Sequence, residues 1–384
     1  MSNAVIVAAV RSPIARAHAE KGAFRDWRAD DLSAEVITGL LQRANVPGRL
    51  IEDVHWGCVR QEKEQGYNIA RQASLIAGLP VETGATSPQR NCGSSLQAIH
   101  QAAMSIAAHC ENVQIAGGVE HMDHLPMDGS YPASARYFYR HSPATLNMGS
   151  IAENLGRKYS IERPAQDEWA LRSHQRAVAA SFADEIVPIL GRDELGRKAM
   201  VERDQCPRSD STLEALAKLK PVFDPHGSVT AGNASPLNVG AAAVLMMSEA
   251  KAQELGLTPL VRVKAMAVAG VDPSIMGVGP VPATHKALAR AGLKLADIDL
   301  IEINEAFAVQ TLACIQLLGL DPDKVNVRGG AIALGHPLGA SGARIATTLI
   351  HTMLARNARY GLATMCIGGG QGIATIFERS QALG

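Results

Sequence analysis

Landmarks near one end of this 384-residue chain recur near the other end at an almost constant separation. A helix-like segment (Asp31 to Ala44), a short acidic turn and a strand lead to Gly57. The same order, helix (Thr284 to Ala291), acidic turn (Asp297, Asp299) and strand (Leu300 to Ile303), leads to Asn304, 247 residues on. Cys92 and Ala340 each open a small-residue turn into an apolar-periodic helix and lie 248 apart. Gly117 and Ile367, each next to a glycine after an apolar run, lie 250 apart. Two copies of one βαβ-rich unit account for these offsets. The expectation is a duplicated, doubly wound α/β fold whose halves pack about a pseudo-twofold axis. Loops at the strand ends would then meet near that axis.

Residues 119–237 match neither copy and read as an inserted loop, or cap, domain, because insertions enter where loops already surround a site. They hold a polar, Tyr-rich stretch (Ser130 to His141), a helix-like segment (Pro164 to Ala183) and a charged loop (Arg192 to Arg208). The apolar run Gly240 to Met247 reads as a return into the first half. That gives an N-terminal half over 1–118 completed by 238–250, and a C-terminal half over 251–384.

The 37 basic and 37 acidic side chains balance, so nothing points to a nucleic-acid or membrane-surface partner. The six cysteines (Cys58, Cys92, Cys110, Cys206, Cys314, Cys366) are scattered, with no CxxC pair. This argues against a disulfide framework or a zinc site and fits a reducing compartment. No stretch of membrane-spanning length is apolar throughout. Ala4 to Val10 reads as a buried first strand rather than a signal peptide, and the ending Ala382-Leu383-Gly384 is not a peroxisomal address. Cytoplasm is the expected location.

Cys92 lies in Asn91-Cys92-Gly93, just ahead of the helix-like run Ser94 to Met104. The positive end of a helix dipole and its free N–H groups favour a thiolate there. The plainer reading is a small buried apolar residue. His336, between Gly335 and Pro337 and close to Gly339, is placed for close backbone approach and is the candidate base; the plainer reading is a hydrogen-bonded structural histidine. Cys366 is the candidate second acid/base, and the glycines after it expose N–H groups for an oxyanion hole, Gly368 first among them. Asn304 ends a strand-like run and could orient a water or carbonyl, or simply cap the next helix. A cysteine, a histidine and a second cysteine suit covalent acyl chemistry with proton shuttling. The run Cys366 to Gly372 is neither a dinucleotide nor a P-loop fingerprint.

Taken together, these segments resemble the thiolases, the acyl-CoA:acetyl-CoA C-acyltransferases. The likeness runs along the whole chain. It covers Arg11-Ser12-Pro13, Asn91 to Ser95, Gly117 to Glu120, Thr230 to Ser235, Asn304 to Ala308, Gly329 to Pro337 and Cys366 to Gly370. The resemblance implies a five-layered α-β-α-β-α core of two similar halves with a loop domain over the site. It implies that Cys92 is acylated, that His336 activates it and that Cys366 exchanges a proton with the acetyl-CoA carbanion. Asn304, through a water, and His336 would hold the enolate oxygen, and the N–H groups of Cys92 and Gly368 the tetrahedral intermediate. Arg208 would meet the coenzyme A phosphate or adenine, and Ser235 and the neighbouring Ala231 the pantetheine. Met148, Phe223, Met276 and Phe307 would line the acyl tunnel.

Coenzyme A is implied as co-substrate, with no permanently bound cofactor and no metal. A homodimer or dimer of dimers is implied, with a hydratase/dehydrogenase subunit as a further candidate partner. Two departures stand out. Val239 replaces the family's usual Asp before Gly-Ala-Ala, which puts the packing beneath the site in question. Asn147 precedes Met148-Gly149 where the short-chain biosynthetic branch carries histidine. With Glu64 to Arg71 similar to the bacterial β-oxidation branch, cleavage of 3-oxoacyl-CoA is favoured over acetoacetyl-CoA synthesis. A ketoacyl-synthase-type enzyme would need a second histidine where Asn304 or Cys366 stands. A catalytically dead carrier would have lost Cys92 or His336.

Overall fold

In a computed structural model of the chain, residues 3–127 and 134–380 are described. The first half runs β1 (Ala4–Arg11), β2 (Ala15–Arg16), α1 (Ala29–Ala44), β3 (Asp53–Gly57), α2 (Ile69–Ile76), β4 (Gly84–Thr86), α3 (Ser94–Ala107) and β5 (Val113–His121). The insertion supplies α4 (Ala135–Arg140), α5 (Met148–Tyr159), α6 (Arg163–Ala179), β6 (Ile189–Arg192), β7 (Lys198–Val201) and α7 (Leu213–Ala217). The chain returns through β8 (Asn238–Ser248) and α8 (Glu249–Glu254). The second half follows as β9 (Val261–Gly270), α9 (Pro280–Ala291), β10 (Leu300–Ile303), α10 (Ala308–Leu318), α11 (Ala331–Leu334), α12 (Ser341–Ala355), β11 (Tyr360–Ile367) and β12 (Gln371–Arg379).

Strand order shows the duplication directly. The path is β10-β11-β12-β9-β1-β8-β5-β3-β4, so β3-β5-β8-β1 in one half mirrors β10-β11-β12-β9 in the other. In each half the first pair is parallel and the next two are antiparallel. Within the sheet, among the described residues, the halves join at β1 and β9, through Val5↔Arg262 and Ile6↔Val261. The starts of β3 and β10, of α3 and α12, and of β5 and β11 are all 247 residues apart. Thus Cys92 corresponds to Gly339 rather than Ala340, and Gly117 to Thr364 rather than Ile367. Glycine and alanine recur at neighbouring positions in both copies, so residue identity alone slips the register.

Three apolar clusters define the layers. Leu32, Val36, Ile37 and Leu40 of α1 pack on the outer face of β3, β5 and β8. Leu96, Ile99 and Ile106 of α3 and Ile345, Leu349 and Met353 of α12 pack between the two half-sheets, against Ala116, Met246, Met365 and Phe377. Ala283, Ala287, Ile315 and Leu318 of α9 and α10 cover the outer face of the second half-sheet. The result is five layers, α-β-α-β-α. A helix between two sheets must be apolar or small all round. Accordingly Ser341 to Ile350 is buried without a break, mostly as Ala, Gly, Ser, Thr and Ile, with one arginine. Each fully buried Leu or Ile contributes roughly 1.5–3 kcal/mol.

The two central helices touch at their first turns. The Ala343 N–H donates to Ser95 Oγ at 2.9 Å. A methyl added at Gly342 would overlap the backbone of Leu96, and one at Gly118 the carbonyl of Gly339. The loops preceding α3 and α12 are therefore forced together.

Two boundaries differ from the sequence expectation. The strand ending the first half continues to His121, past residue 118, because Val113 to His121 pairs along β8 without interruption. The charged segment 192–208 contains β7, which pairs with β6 as a hairpin. Of the stretch 130–141, residues 130–133 lie outside the described residues, as does the ending 382–384. Val239 is buried in the core beside Ala15 and His121, so the apolar side chain is accommodated where an acid was expected. Arg11, fully buried, holds the insertion to β1 through Glu185 (2.5 Å) and Asp204 (2.6 Å). Glu64, His121 and His124 cluster at the root of the insertion. All four ring nitrogens are engaged, with Phe24 O, Arg25 O, Glu64 and the His124 N–H. Among the described residues no helix is long and apolar enough to cross a membrane.

Candidate active site

Cys92 ends the loop that feeds α3, two residues before the helix begins. Its predecessor Asn91 has φ +43°, a left-handed bend that turns the cysteine out of the loop. The N–H groups of Gly93 and Ser94 bond back to Arg90 O and Asn91 O, so they are not available to the sulfur. What faces the sulfur is the N–H of Cys92 itself and that of Gly368. These favour the anion, but burial outweighs them and pushes the thiol up to about 11. The helix start therefore gives the sulfur less support for the anion than the sequence suggests. Two helical N–H groups are spent inside the turn, and desolvation costs more than the remaining donors return.

His336 lies in the equivalent loop ahead of α12. Its N–H donates to Asn238 Oδ1 at 2.8 Å, and Gly335 adopts φ +111° against the Asn238 amide. Burial, with the Arg344 charge nearby, pulls the imidazole down to about 3, so the ring is neutral. Its tautomer follows from Ser341. Ser341 Oγ lies 2.8 Å from Pro337 O and 2.6 Å from His336 Nδ1. A carbonyl oxygen only accepts, so the single hydroxyl proton points to Pro337 and Nδ1 must donate to Oγ. Nε2 is left with a free lone pair.

Asn304 and Cys366 sit at the carboxyl ends of the neighbouring parallel strands β10 and β11, where the Asn304 N–H donates to Thr364 O at 3.1 Å. Asn304 does not cap the next helix, since α10 begins four residues later with Phe307 at the N-cap. Its Nδ2 lies 3.4 Å from both ring nitrogens of His336, across the ring rather than in line with one lone pair. Cys366 is buried, and burial together with the neighbouring Cys92 and Cys314 sulfurs drives its thiol well above the usual range.

Of the other predicted contacts, the tunnel residues pack beside Cys366. Met148, Met276 and Phe307 share one apolar cluster with Cys366. The Phe223 ring packs over Gly149 and stands edge-on to Phe307, centroids 6.2 Å apart. Ser235 donates both N–H and Oγ to Ala306 O, at 3.0 and 3.1 Å, and Ala231 is exposed on the same loop. Arg208 is also exposed; its N–H donates to His174 Nδ1 at 3.2 Å, and burial with the Arg208 charge lowers His174 to about 4. A surface cavity of about 350 Å³ beside Trp27 and Leu190 shares no residue with the site.

Sequence reasoning gave no role to Ser341, Asn238, Asn233 or Glu305. Asn233 Nδ2 donates to Asp167 Oδ1 and Ser228 O, both at 3.0 Å, while its carbonyl accepts from the Ala308 N–H. Glu305 accepts from Trp169, Ser173, Asn326 and the Ile332 N–H. A hydroxyl five residues after the histidine of His-Pro, at a helix start, is the signal that would have found Ser341. The partners of the other three are set by tertiary contacts.

The comparisons agree with this fold along the chain. The description "Thiolase, N-terminal domain" matches residues 4–250, and "Thiolase, C-terminal domain" matches residues 257–379. A 3-ketoacyl-CoA thiolase of Vibrio cholerae is 54% identical over 388 residues, covering 99% of this chain and 100% of that protein. The crystal structure of the Bacillus anthracis acetyl-CoA acetyltransferase is 42% identical with a TM-score of 0.90, covering 99% of both chains. Human mitochondrial 3-ketoacyl-CoA thiolase is 40% identical with a TM-score of 0.91, again over 99% of both. With two mirrored half-sheets and two cysteines and a histidine at matching loop and strand ends, the chain belongs to the thiolase family.

Proposed function

We propose that this chain is an acyltransferase that cleaves 3-oxoacyl-CoA with coenzyme A, giving acetyl-CoA and an acyl-CoA shortened by one acetyl unit. The observation that carries this is that Cys366 and the Gly368 N–H neighbour the partly buried Cys92, which packs on Leu338 of the His336 loop, while Asn304 Nδ2 lies 3.4 Å from the His336 ring. His336 Nε2 takes the Cys92 proton as Sγ attacks the ketone carbon. The tetrahedral oxyanion is held by the N–H groups of Cys92 and Gly368. Collapse breaks the C2–C3 bond, leaving the acyl group on Cys92, and the electron pair passes to the thioester enolate. Asn304 and His336 face that enolate's oxygen, and the Cys366 thiol gives its proton to the carbon, releasing acetyl-CoA. The thiol of a second coenzyme A returns a proton to Cys366 and attacks the acyl-Cys92 thioester. The His336 imidazolium then reprotonates Cys92.

The buried thiol and neutral imidazole suit this sequence. A thiol near 11 and a ring near 3 exist as the uncharged pair across the neutral range, and charge develops only as bonds change. Donors fixed before the reaction supply roughly 3 kcal/mol or more each.

Arg208 is assigned to the coenzyme A phosphate or adenine, and Ser235 and Ala231 to pantetheine. Met148, Phe223, Met276 and Phe307 are assigned to the acyl tunnel. No metal or resident cofactor takes part. The chain divides into the two halves and the inserted loop domain described above, and a cytoplasmic location is proposed. A homodimer or dimer of dimers is proposed as well. It fits the short edge strand β4, which among the described residues pairs with β3 alone, and the almost fully exposed Tyr67 next to Asn68, whose side chain donates to Ala85 O. A hydratase/dehydrogenase partner in a β-oxidation assembly is a further proposal.

The test is coenzyme A-dependent loss of the magnesium-enolate absorbance of short-, medium- and long-chain 3-oxoacyl-CoA. Turnover on the longer chains supports degradation. Activity confined to acetoacetyl-CoA and to acetyl-CoA condensation would favour the biosynthetic direction, and no turnover on any of them would refute the assignment.

A further inference from the structure

Two loops from different halves meet at Cys92, and two side chains cross between them. Asn91 Nδ2 donates to Gly368 O at 2.9 Å, and Arg90 Nη1 donates to Gln371 Oε1 at 2.9 Å. On the nucleophile side the backbone is tightly held. Asn91 O accepts from the Ser94 N–H at 3.0 Å and from Ser94 Oγ at 2.6 Å, while the Arg90 N–H donates to Ser94 Oγ at 2.9 Å. Gln89 Nε2 donates to Asn91 Oδ1 at 3.3 Å, which fixes the Asn91 NH₂ as the end that reaches Gly368. On the opposite side the turn is closed at its base by the Ile367–Gln371 pair and by the Val271 N–H on Gly370 O, while its tip is open. Gly368 is followed by Gly369 (φ +85°) and Gly370 (φ +84°), and no atom lies within 4 Å of where a Gly369 side chain would start. Glycines in series leave a loop conformationally free unless something pins it.

Asn91 combines two properties that few residues share. Apart from glycine, asparagine is among the residues that best tolerate the left-handed region. It also carries a donor long enough to reach the facing loop. We propose that Asn91 is a positioning residue. Its backbone bend aims Cys92, and its side-chain amide latches the Gly368 carbonyl so that the Gly368 N–H stays against the reacting sulfur and thioester oxygen. This deepens the acyl-transfer reading and rests on it.

The experiment separates the two properties. Asn91→Gly keeps the bend and loses the latch. Asn91→Asp keeps the size and tolerates the bend, but presents an acceptor to the Gly368 carbonyl. For Asn91→Gly, kcat for thiolysis is expected to fall about 10-fold, a fraction of the 10²–10³ lost when an oxyanion donor is removed outright, with KM for coenzyme A unchanged. Alkylation of Cys92 by iodoacetamide at one fixed, mildly alkaline pH should slow by a similar factor, because the N–H that favours the anion is no longer held. Asn91→Asp should lose more on both measures, with thermal stability of both variants near the parent's. Parental kcat and alkylation rate in Asn91→Gly would overturn the latch. Failure of the unsubstituted protein to cleave 3-oxoacyl-CoA would instead refute the function, and the alkylation comparison would still decide the latch.

Discussion

Replacing Ser341 by alanine tests whether His336 is held in the tautomer that acylation needs. The hydroxyl accepts a hydrogen bond from Nδ1–H at 2.6 Å and donates its own to Pro337 O at 2.8 Å. Both His336 and Ser341 are buried, so the alanine variant leaves a buried Nδ1–H without its acceptor. An unmet buried donor costs about 1–3 kcal/mol. The ring escapes that cost by moving its proton to Nε2, which removes the lone pair that receives the Cys92 proton. At about 1.36 kcal/mol per tenfold, acylation should slow by about 5- to 150-fold. The assay is rapid-quench intact-mass detection of the acyl-Cys92 adduct in a single turnover, which isolates acylation from later steps. Nitrogen NMR of the imidazole gives the independent readout: an Nδ1-protonated neutral ring in the parent and a mixture or an Nε2-protonated ring in the variant. An alanine variant that acylates at the parental rate with an unchanged nitrogen spectrum would refute the proton inventory.

Cys366→Ala should still form the acyl adduct from acyl-CoA while overall turnover falls by orders of magnitude; absence of the adduct by mass would move Cys366 from the carbanion step to acylation. Gly342→Ala places a methyl into the Leu96 backbone, which cannot yield as a side chain could, so about 3 kcal/mol or more should be lost, read as a fall in melting temperature or in soluble yield. His100 and His336 are held near 3 and His174 near 4, all by burial first, so the folded chain binds fewer protons than the unfolded one below about pH 6.5. Stability from these groups is present above that pH and is lost as pH falls toward their folded values. Glu302, raised to about 8 by burial, acts oppositely, losing stability as pH rises from its ordinary value toward 8. The melting temperature should drop from pH 6.5 to 4, and His100→Asn should flatten that drop; a flat acid limb in the parent would count against the buried, neutral histidines.

The duplicated architecture was readable because apolar period and turn spacing are local properties repeated in both copies. The strand over Leu300–Ile303 and the approach to Gly57 fell where hydrophobic runs end in small or polar residues. Register within the duplication was less readable. The true offset is set by backbone contact between central helices, as at Ser95–Ala343, and that contact leaves no one-dimensional mark beyond a glycine or serine. The strand extension to His121 likewise depends on β8, more than a hundred residues away, offering partners for every residue.

The chemistry divides along the same line. Residue types that carry reactivity were visible, since a cysteine before a helix and a histidine between glycine and proline have few structural uses in common. Their charge state was not visible, because a helix start argues for a thiolate while the loss of solvent around the sulfur argues against. The structure decides for burial: the Cys92 thiol rises to about 11 although two N–H groups face it. A resting thiolate would have made His336 dispensable for activation. A protonated thiol beside a neutral ring makes the base necessary, and makes Ser341, which sets the ring's tautomer, and Asn91, which sets the donor, part of the same device. Duplication explains why such a device can be assembled at all. Each half alone contributes a loop ahead of a central helix and a strand end beside it, and one copy holds the nucleophile while the other holds the base, the second thiol and the asparagine.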